Sequence, residues 1–276
     1  MNNALKITLI AVGCVLVFLA VIYLFAIGTK RNKEMKKFSS VKFAHRGLHS
    51  DKAPENSLPA FSLAVAAGFG IELDVRVSKD KKLVVFHDDT LKRVVGIDGR
   101  VNEYTAEELS AMKLLGSEER IPLFDEVLSL VDGKVPLLIE IKENATETDA
   151  SILTAKRLAD YSGDFIIESF NPLALMRVKK LLPSAPRGIL SHRYFAFKEY
   201  RKPTYFLLQL MLLNFLCRPS FVAYDLRHRS SLSLRLTRRL FGAVTFAWTV
   251  RSSEEEALAK KVGFNSIIFE GYMPEK

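Results

Sequence analysis

Cysteine is scarce in this sequence, and its two cysteines cannot form a disulfide within a folded domain. Cys14 lies in an apolar N-terminal stretch, and Cys217 is the other cysteine among 276 residues. A small scaffold held together by disulfides is therefore excluded, and a reducing compartment is acceptable. Stability must come from a hydrophobic core, for which a chain of this length with 49% hydrophobic residues has enough material.

Internal repeats and low-complexity tracts are also absent, and acidic residues are in the minority. The 31 Asp and Glu stand against 40 Lys and Arg, which gives a net charge of +9. The excess is local, because residues 187–240 contain eleven Lys and Arg but only two acids, Glu199 and Asp225. Clustered basic residues beside apolar ones are typical of contact with anionic lipid. We expect anionic membrane lipids as partners and no nucleic acid.

The first part of the chain is long and apolar enough to cross a membrane. Residues 5–27 contain Lys6 and Thr8 but are otherwise apolar or small, and at helical rise they cover about 34 Å. A cleaved signal peptide is the alternative, but its apolar region is normally shorter and no clear small-x-small site precedes Gly28. We therefore predict that residues 1–28 are a retained, single-pass anchor in the cell membrane.

Basic residues follow this stretch, whereas only Lys6 and the amino terminus precede it. The positive-inside rule therefore predicts that the rest of the chain lies in the cytoplasm. Residues 29–40 are predicted to form a basic tether that keeps the domain close to the headgroups. The basic residues of this segment are Lys30, Arg31, Lys33, Lys36 and Lys37.

From residue 41 onward, apolar runs alternate with helical patterns, which favours a (β/α)8 barrel of the TIM type over residues 41–276. The predicted helices are 58–67, 122–131, 150–161, 172–182, 232–240 and 254–262. The candidate strands are 41–45, 70–77, 83–87, 136–141, 165–169, 187–190, 221–224, 243–249 and 266–269.

The sequence offers nine candidate strands, whereas such a barrel has eight. The runs 70–77 and 83–87 are separated by five residues, which is too few for a parallel crossover. The run 83–87 is therefore predicted either to form a hairpin with 70–77 or to lie at the rim of the barrel. Residues 89–121 are polar and rich in loop signals, and we predict that they form a small insertion over the barrel mouth.

Three acidic residues lie in these apolar strands. Glu72 and Asp74 are two residues apart, so their side chains point to the same face of a strand. Glu140 stands in a second strand and shares a face with Lys142. Neighbouring carboxylates repel each other unless a positive charge lies between them, and oxygen ligands favour a hard divalent cation such as Mg²⁺ or Ca²⁺. Solvated acids on an edge strand are the alternative interpretation.

Two histidines each end an apolar run, and one of them is followed by a group suited to phosphate. His45 precedes Arg46 and Gly47, and His87 precedes Asp88. A pair of histidines near a cation can remove a proton from one oxygen and give a proton to another near neutral pH. The guanidinium group of Arg46 offers a planar fork to phosphate oxygens. These residues therefore predict phosphoryl-ester chemistry.

Taken together, the motifs resemble the ordered set of the glycerophosphodiester phosphodiesterases, from about residue 41 to about residue 269. The matching motifs are His45-Arg46-Gly47, Glu55-Asn56-Ser57, Glu72-Leu73-Asp74-Val75, His87-Asp88, Glu140-Ile141-Lys142, Ser169-Phe170 and Trp248-Thr249-Val250.

The resemblance implies a role for each matched residue. It implies that His45 and His87 are catalytic and that Glu72, Asp74 and Glu140 bind a divalent cation. It also implies that Arg46 and Lys142 contact the phosphate. Asn56, Ser169 and Trp248 are further predicted substrate-binding residues, and the alternative is that Ser169 is a cap or turn residue and Trp248 a core residue. One departure is visible near the C-terminus, where Phe269-Glu270-Gly271 stands in place of the family's usual Thr-Asp pair. His49, His192 and His228 match no motif and are interpreted as surface or structural residues.

By this resemblance the chain is expected to hydrolyse glycerophosphodiesters to sn-glycerol 3-phosphate and an alcohol. Two alternatives stay open. The first is a lysophospholipase D-type phosphodiesterase that acts on membrane lysolipids, for which an anchor would be useful. The second is a membrane-anchored binding module without catalytic activity, against which the intact set of two histidines and three acids argues.

The run 203–217 has no charged residue, although basic residues surround it. As a helix it is too short to span a bilayer and too apolar for an ordinary surface helix. It is predicted either to pack as a barrel helix or to lie against the membrane and help to admit substrate.

Overall fold

Parallel strands close into a barrel in the computed structural model, which describes residues 2–144 and 146–275. Strand β1 pairs with β2 on one side and with β9 on the other, and this double pairing closes the sheet. The predicted (β/α)8 fold is confirmed. The strands are β1 Phe43–Ala44, β2 Gly70–Val77, β3 Leu83–Val85, β4 Leu137–Ile141, β5 Phe165–Ser169, β6 Arg187–Ser191, β7 Phe221–Asp225, β8 Val244–Val250 and β9 Ser266–Phe269.

Helices follow most of these strands and form the outer layer. All six predicted helices are present, with ends within three residues of the prediction. The helices are α1 Asn3–Ile27, α2 Met35–Phe38, α3 Leu58–Ala67, α4 Lys92–Val95, α5 Ala106–Ala111, α6 Phe124–Val131, α7 Asp149–Leu158, α8 Pro172–Leu181, α9 Pro203–Gln209, α10 Asn214–Cys217, α11 Leu232–Phe241 and α12 Ser253–Lys261. We call the face at the carboxyl ends of the parallel strands the mouth face and the opposite one the base face.

Strand β3 accounts for the ninth candidate strand. It pairs antiparallel with the end of β2, with Val75 opposite Val85 and Val77 opposite Leu83. The five residues between the strands form a tight turn, in which Ser78 N–H donates to the Lys82 carbonyl at 2.9 Å. The hairpin alternative is therefore confirmed, and β3 stands outside the barrel because this turn is too short for a crossover.

The residues after β3 form a small unit with its own core. A cluster of buried side chains, including Leu91, Val101 and Leu109, packs beneath Val84 and Phe86. Helix α5 begins at a capping box, because Thr105 and Glu108 each bond the backbone N–H of the other. This unit occupies the predicted insertion, although the domain boundaries themselves stay predictions.

The segment predicted as a basic tether is packed against the base face of the barrel. Met35 and Phe38, both on α2, are 2% exposed and join the cluster of side chains that fills the barrel interior. That cluster includes Phe43, Phe221 and Phe246. The polar composition of residues 29–40 concealed this role, because only these two large apolar side chains turn inward.

The apolar run 203–217 is not one helix. It forms α9 and α10, separated by residues 210–213, where Met211 adopts a positive φ of 57°. The expectation of a continuous 15-residue helix is therefore wrong. Part of the run is buried, because Asn214 is 1% exposed and donates to the carbonyl of Ile27 at the end of α1.

Candidate active site

Alternation along the strands carries polar side chains to the mouth face of the barrel interior. On β4, Leu138 and Glu140 point inward, and on β5 Ile166 and Glu168 do the same, with Glu140 opposite Glu168 in the register. The lower positions belong to the interior hydrophobic cluster, whereas the upper positions are acidic. Polar groups therefore collect where the strands end, which is where barrel enzymes place their chemistry.

Three of these carboxylates converge. Glu72, Asp74 and Glu140 are all buried and present oxygen atoms that lie within 4.8 Å of one another. Burial, and then the negative charges of Asp74 and Glu140, raise the pKa of Glu72 well above its usual value. Oxygen-only donors at this spacing fit a hard divalent cation, which would neutralise part of the charge.

Two basic side chains offset the charge of the acidic cluster. Lys142 Nζ lies 2.7 Å from Glu140 Oε1 and 3.1 Å from Asp74 Oδ1, and Arg46 Nε lies 3.4 Å from Asp74 Oδ2. Burial alone would raise the pKa of Asp74, but the charges of Lys142, His87 and Arg46 outweigh it and lower that pKa. Asp74 is therefore held ionised at the centre of the cluster.

The loop after β1 carries the first predicted motif and has a strained backbone. Arg46 and Gly47 have positive φ angles of 57° and 82°. A Cβ atom at residue 47 would lie 2.8 Å from the carbonyl carbon of Ala60 on α3, so only glycine fits here. This turn aims the backbone N–H of Arg46 at Glu72 Oε2, to which it donates at 2.9 Å.

A carboxylate outside the matched motifs orients His45. Glu270 Oε2, at the end of β9, lies 2.5 Å from His45 Nδ1, and Arg251 Nη2 lies 2.5 Å from Glu270 Oε1. The other ring nitrogen of His45 faces the acidic cluster, 4.0 Å from Glu72 Oε2. The departure at Phe269-Glu270-Gly271 therefore leaves the closing strand intact and supplies the partner of a predicted catalytic histidine.

His87 has a comparable carboxylate partner. Its Nδ1 lies 2.6 Å from Asp88 Oδ1, while Arg93 Nε donates to Asp88 Oδ2 at 2.6 Å. Arg93 also donates to both oxygens of Glu55, and Arg46 Nη1 donates to Glu55 Oε1 at 2.8 Å. A chain of ion pairs thus connects the insertion, through Arg93, to the loops that carry both predicted catalytic motifs.

These groups line a cavity of about 180 Å³ at the mouth face. His45 and His87 both border it, together with Arg46, Lys142 and Trp248. The Trp248 ring packs edge-on against Phe170, with 5.6 Å between ring centroids. The structure therefore brings both predicted histidines, two of the three predicted cation ligands and three of the predicted substrate-binding residues to one cavity.

Two predicted substrate-binding residues have other contacts. Asn56 is 3% exposed, and its amide donates to Asp74 Oδ2 at 2.8 Å, so it positions a carboxylate and does not line the cavity. Ser169 is 1% exposed, and its hydroxyl donates to the Ile141 carbonyl at 2.7 Å. The polar atoms of both side chains therefore bond protein groups. Ser169 also borders a second pocket beside the cavity, and substrate binding by these two residues stays a prediction.

Sequence reasoning also missed Glu168, which borders the cavity. It is 1% exposed, and within residues 2–144 and 146–275 its Oε2 has no hydrogen-bond partner. Burial, and then the charges of Glu140 and Glu72, raise the pKa of Glu168 well above its usual value. Its position could have been read from the strand pattern, because Glu168 lies two residues after the inward-facing Ile166.

His192, which matched no motif, belongs to an aromatic group beside the cavity. Its ring lies 4.0 Å from that of Tyr194 and 6.1 Å from that of Trp248, measured between centroids. Burial lowers the pKa of His192 to about 4. The interpretation of this histidine as a structural residue agrees with these contacts.

With this geometry established, similarity to known proteins identifies the family. Residues 45–271 match the glycerophosphoryl diester phosphodiesterase family, a span that holds every predicted site residue. The chain belongs to this family. It is a phosphoric diester hydrolase, a glycerophosphodiester phosphodiesterase built on a TIM barrel.

Individual relatives agree with this assignment. A Bacillus subtilis protein, YhdW, named as a candidate glycerophosphodiester phosphodiesterase, is 31% identical over 242 residues, which cover 82% of this chain and 92% of that one. Human lysophospholipase D is 32% identical over 125 residues, which cover 41% of this chain and 39% of that one. The glycerophosphodiester phosphodiesterase of Thermotoga maritima has a similar structure, with a TM-score of 0.63 and 27% identity over 83% of this chain and 94% of that one.

Another solved structure shares the fold at lower identity. A phosphodiesterase from Oleispira antarctica, solved with sn-glycerol-3-phosphate, has a TM-score of 0.70 and 23% identity over 85% of this chain and 94% of that one. Both structural likenesses cover the barrel, so the predicted fold and family are confirmed together.

Proposed function

We propose that this glycerophosphodiester phosphodiesterase works with His45 and His87 as its two proton-transfer groups. The observation that carries the proposal is that both histidines border one cavity, each with a carboxylate at Nδ1. A carboxylate on Nδ1 fixes the ring and leaves the second nitrogen for proton transfer. One histidine accepts the proton of the attacking hydroxyl, and the other protonates the departing alcohol oxygen.

We assign Glu72, Asp74 and Glu140 as the groups that hold a divalent cation, Mg²⁺ or Ca²⁺. When bound, the cation supplies charge that polarises a phosphate oxygen. Lys142, with its Nζ 2.7 Å from Glu140, and Arg46 add positive charge at the same cavity. They share the charge that develops on the phosphate in the transition state. Asn56 is assigned as a positioning residue for Asp74.

The histidine assignments are tested by His45→Ala and His87→Ala. Each is expected to lower the hydrolysis of glycerophosphocholine about 100-fold or more while the protein stays folded. His228→Ala serves as the matched control, because His228 lies beside Asp225 and does not border the cavity. Near-normal turnover in either catalytic variant would remove that histidine from the mechanism.

The cation site is tested by binding, independently of activity. A divalent cation is expected to raise the thermal midpoint of the wild-type protein, since a ligand that binds only the folded state stabilises it. The rise should be lost in Glu72→Ala and Glu140→Ala. An unchanged rise in these variants, or full activity after exhaustive chelation, would exclude this site.

We further propose that α1 is a retained membrane anchor with the barrel on the cytoplasmic side. Helix α1 is long and apolar enough to cross a bilayer, and basic residues follow it in the sequence. Its last turn is bonded to the barrel through Asn214, and Arg218 stacks on Phe25 with its guanidinium carbon 4.4 Å from the ring centroid. A segment removed by a signal peptidase would not need such contacts.

A further inference from the structure

The contacts of α1 fix the direction in which it leaves the barrel. The Tyr23 hydroxyl lies 2.8 Å from the Ser233 hydroxyl, and Ser233 stands at the start of α11, which follows the carboxyl end of β7. The N–H of Lys30 donates at 2.9 Å to the carbonyl of Pro219, just before the amino end of β7. Between Tyr23 and Lys30 the chain therefore descends from the mouth face to the base face.

The part of α1 that precedes Tyr23 consequently projects beyond the mouth face. Residues 2–22 are all exposed, whereas Ile27 is fully buried. With this exposed part in a bilayer, the membrane lies on the side of the barrel where the cavity opens. The basic segment 29–40 lies at the opposite, base face, so it cannot be the surface that meets the headgroups.

A second pocket, of about 350 Å³, adjoins the catalytic cavity. The two share Glu140, Lys142 and Phe170 as wall residues. We call this second space the side pocket. Apolar side chains supply most of its exposed wall surface, although Arg76, Glu143 and Asn144 also line it. The pocket has the size of a small-ligand site. The apolar walls come from β4, α8 and the 203–217 run and include Ile141, Pro172, Leu173, Tyr205, Leu208 and Leu213.

The mouth face, to which the side pocket belongs, combines exposed apolar side chains with basic ones. Leu208 lies at the carboxyl end of β6, because its carbonyl accepts from the Ser191 hydroxyl at 3.5 Å. Its neighbours Phe206 and Leu207 are 44% and 38% exposed, and Leu232 at the start of α11 is 56% exposed. The loops after β6 and β7 add Arg193, Lys198, Arg201, Lys202, Arg227 and Arg229.

Such a surface suits the boundary between lipid tails and anionic headgroups, where apolar side chains enter the tails and basic ones meet the phosphates. We propose that the mouth of the barrel faces the bilayer and that the side pocket holds the acyl chain of a lysophospholipid drawn from it. This rests on the proposed function, because the same bond is broken. A water oxygen attacks phosphorus, and the bond between phosphorus and the head-group oxygen breaks. A proton of the water passes to that oxygen, so the products are the head-group alcohol and acylated glycerol phosphate.

The test compares two substrates on the full chain in lipid nanodiscs. Glycerophosphocholine and 1-palmitoyl-glycerophosphocholine share the scissile bond and differ by the acyl chain. Leu208→Gln is expected to lower kcat/KM for the acylated substrate about tenfold or more, because it removes apolar contact from the chain. Turnover of glycerophosphocholine should change less than twofold. Leu181→Gln, an exposed position at the base-face end of α8, is the matched control.

The outcomes separate the two proposals. Hydrolysis of glycerophosphocholine without hydrolysis of the acylated substrate would overturn the acyl pocket and leave the proposed function standing. An equal fall in kcat/KM for both substrates in Leu208→Gln, with the same result in Leu213→Gln, would also overturn the acyl pocket. A wild-type protein that hydrolyses neither substrate would refute the proposed function itself.

Binding is measured separately through Trp248, the single tryptophan of the chain. Its ring packs on Phe170, which borders the side pocket. In a His45→Ala background, in which turnover is expected to be about 100-fold or more slower, a lysolipid brominated in its acyl chain should quench this fluorescence, and the unbrominated lipid should not. Equal, weak quenching by both would overturn the pocket assignment.

The orientation of the mouth face relative to the bilayer is measured in a separate quenching experiment. A dye attached to a cysteine at position 206 should be quenched by headgroup-labelled lipid, whereas a dye at position 181 should not. Quenching at position 181 alone would place the base face at the membrane and overturn the orientation.

Discussion

Glu270 is expected to control the rate of hydrolysis through His45, without contacting the substrate. Its carboxylate lies 2.5 Å from His45 Nδ1, and it does not border the catalytic cavity. Hydrogen bonds to charged groups contribute about 1.5–3 kcal/mol. If that energy is present only when His45 carries the transferred proton, Glu270→Gln should lower kcat about 10- to 150-fold. KM should stay within about threefold, because ground-state substrate contacts are unchanged.

The dependence of kcat on pH gives a second test, because a residue with only a structural role would not shift it in a defined direction. Burial lowers the pKa of His45, while the hydrogen bond and charge of Glu270 raise it. Replacing that charge by a neutral amide should lower the pKa further, so any limb of the kcat profile that belongs to His45 should move to lower pH.

Steady-state assays with glycerophosphocholine across pH would measure both effects. Glu256→Gln is the matched control, because Glu256 pairs with Lys42 at 2.6 Å on the outside of the barrel. Wild-type kcat and an unshifted profile in Glu270→Gln would refute the reasoning. A loss of thermal stability that accounts for the lost activity would do so as well.

Three further predictions concern packing, the insertion and topology. Phe38→Ala should lower the free energy of unfolding by about 3–5 kcal/mol, since Phe38 is 2% exposed, and Lys36→Ala should change it by less than about 0.5 kcal/mol in the same chemical denaturation experiment. Arg93→Ala should lower kcat about tenfold because Asp88 and Glu55 lose their shared partner, and unchanged kinetics would disconnect the insertion from catalysis. A cysteine replacing Lys36 should resist an impermeant thiol reagent in intact cells, and ready labelling would place the barrel outside.

Much of the fold follows from local sequence patterns. Two-residue alternation predicts that Glu72 and Asp74 share a face, and the short link 78–82 excludes a parallel crossover. The Thr105 capping box and the alternation of strands and helices are equally local. Such features need only the geometry of one strand or helix, so the sequence alone determines them.

Other features depend on contacts between residues that are far apart in the chain. The sequence shows that Glu270 follows a strand, but only closure of the barrel brings it to His45, 225 residues away. The same holds for Arg93, whose ion pairs depend on how the insertion folds over the mouth. Met35 and Phe38 lie in a basic segment. They are buried because, at the base face, they join the hydrophobic cluster that fills the interior of the closed barrel. Periodicity carries no information about such partners, because they are selected by packing in three dimensions.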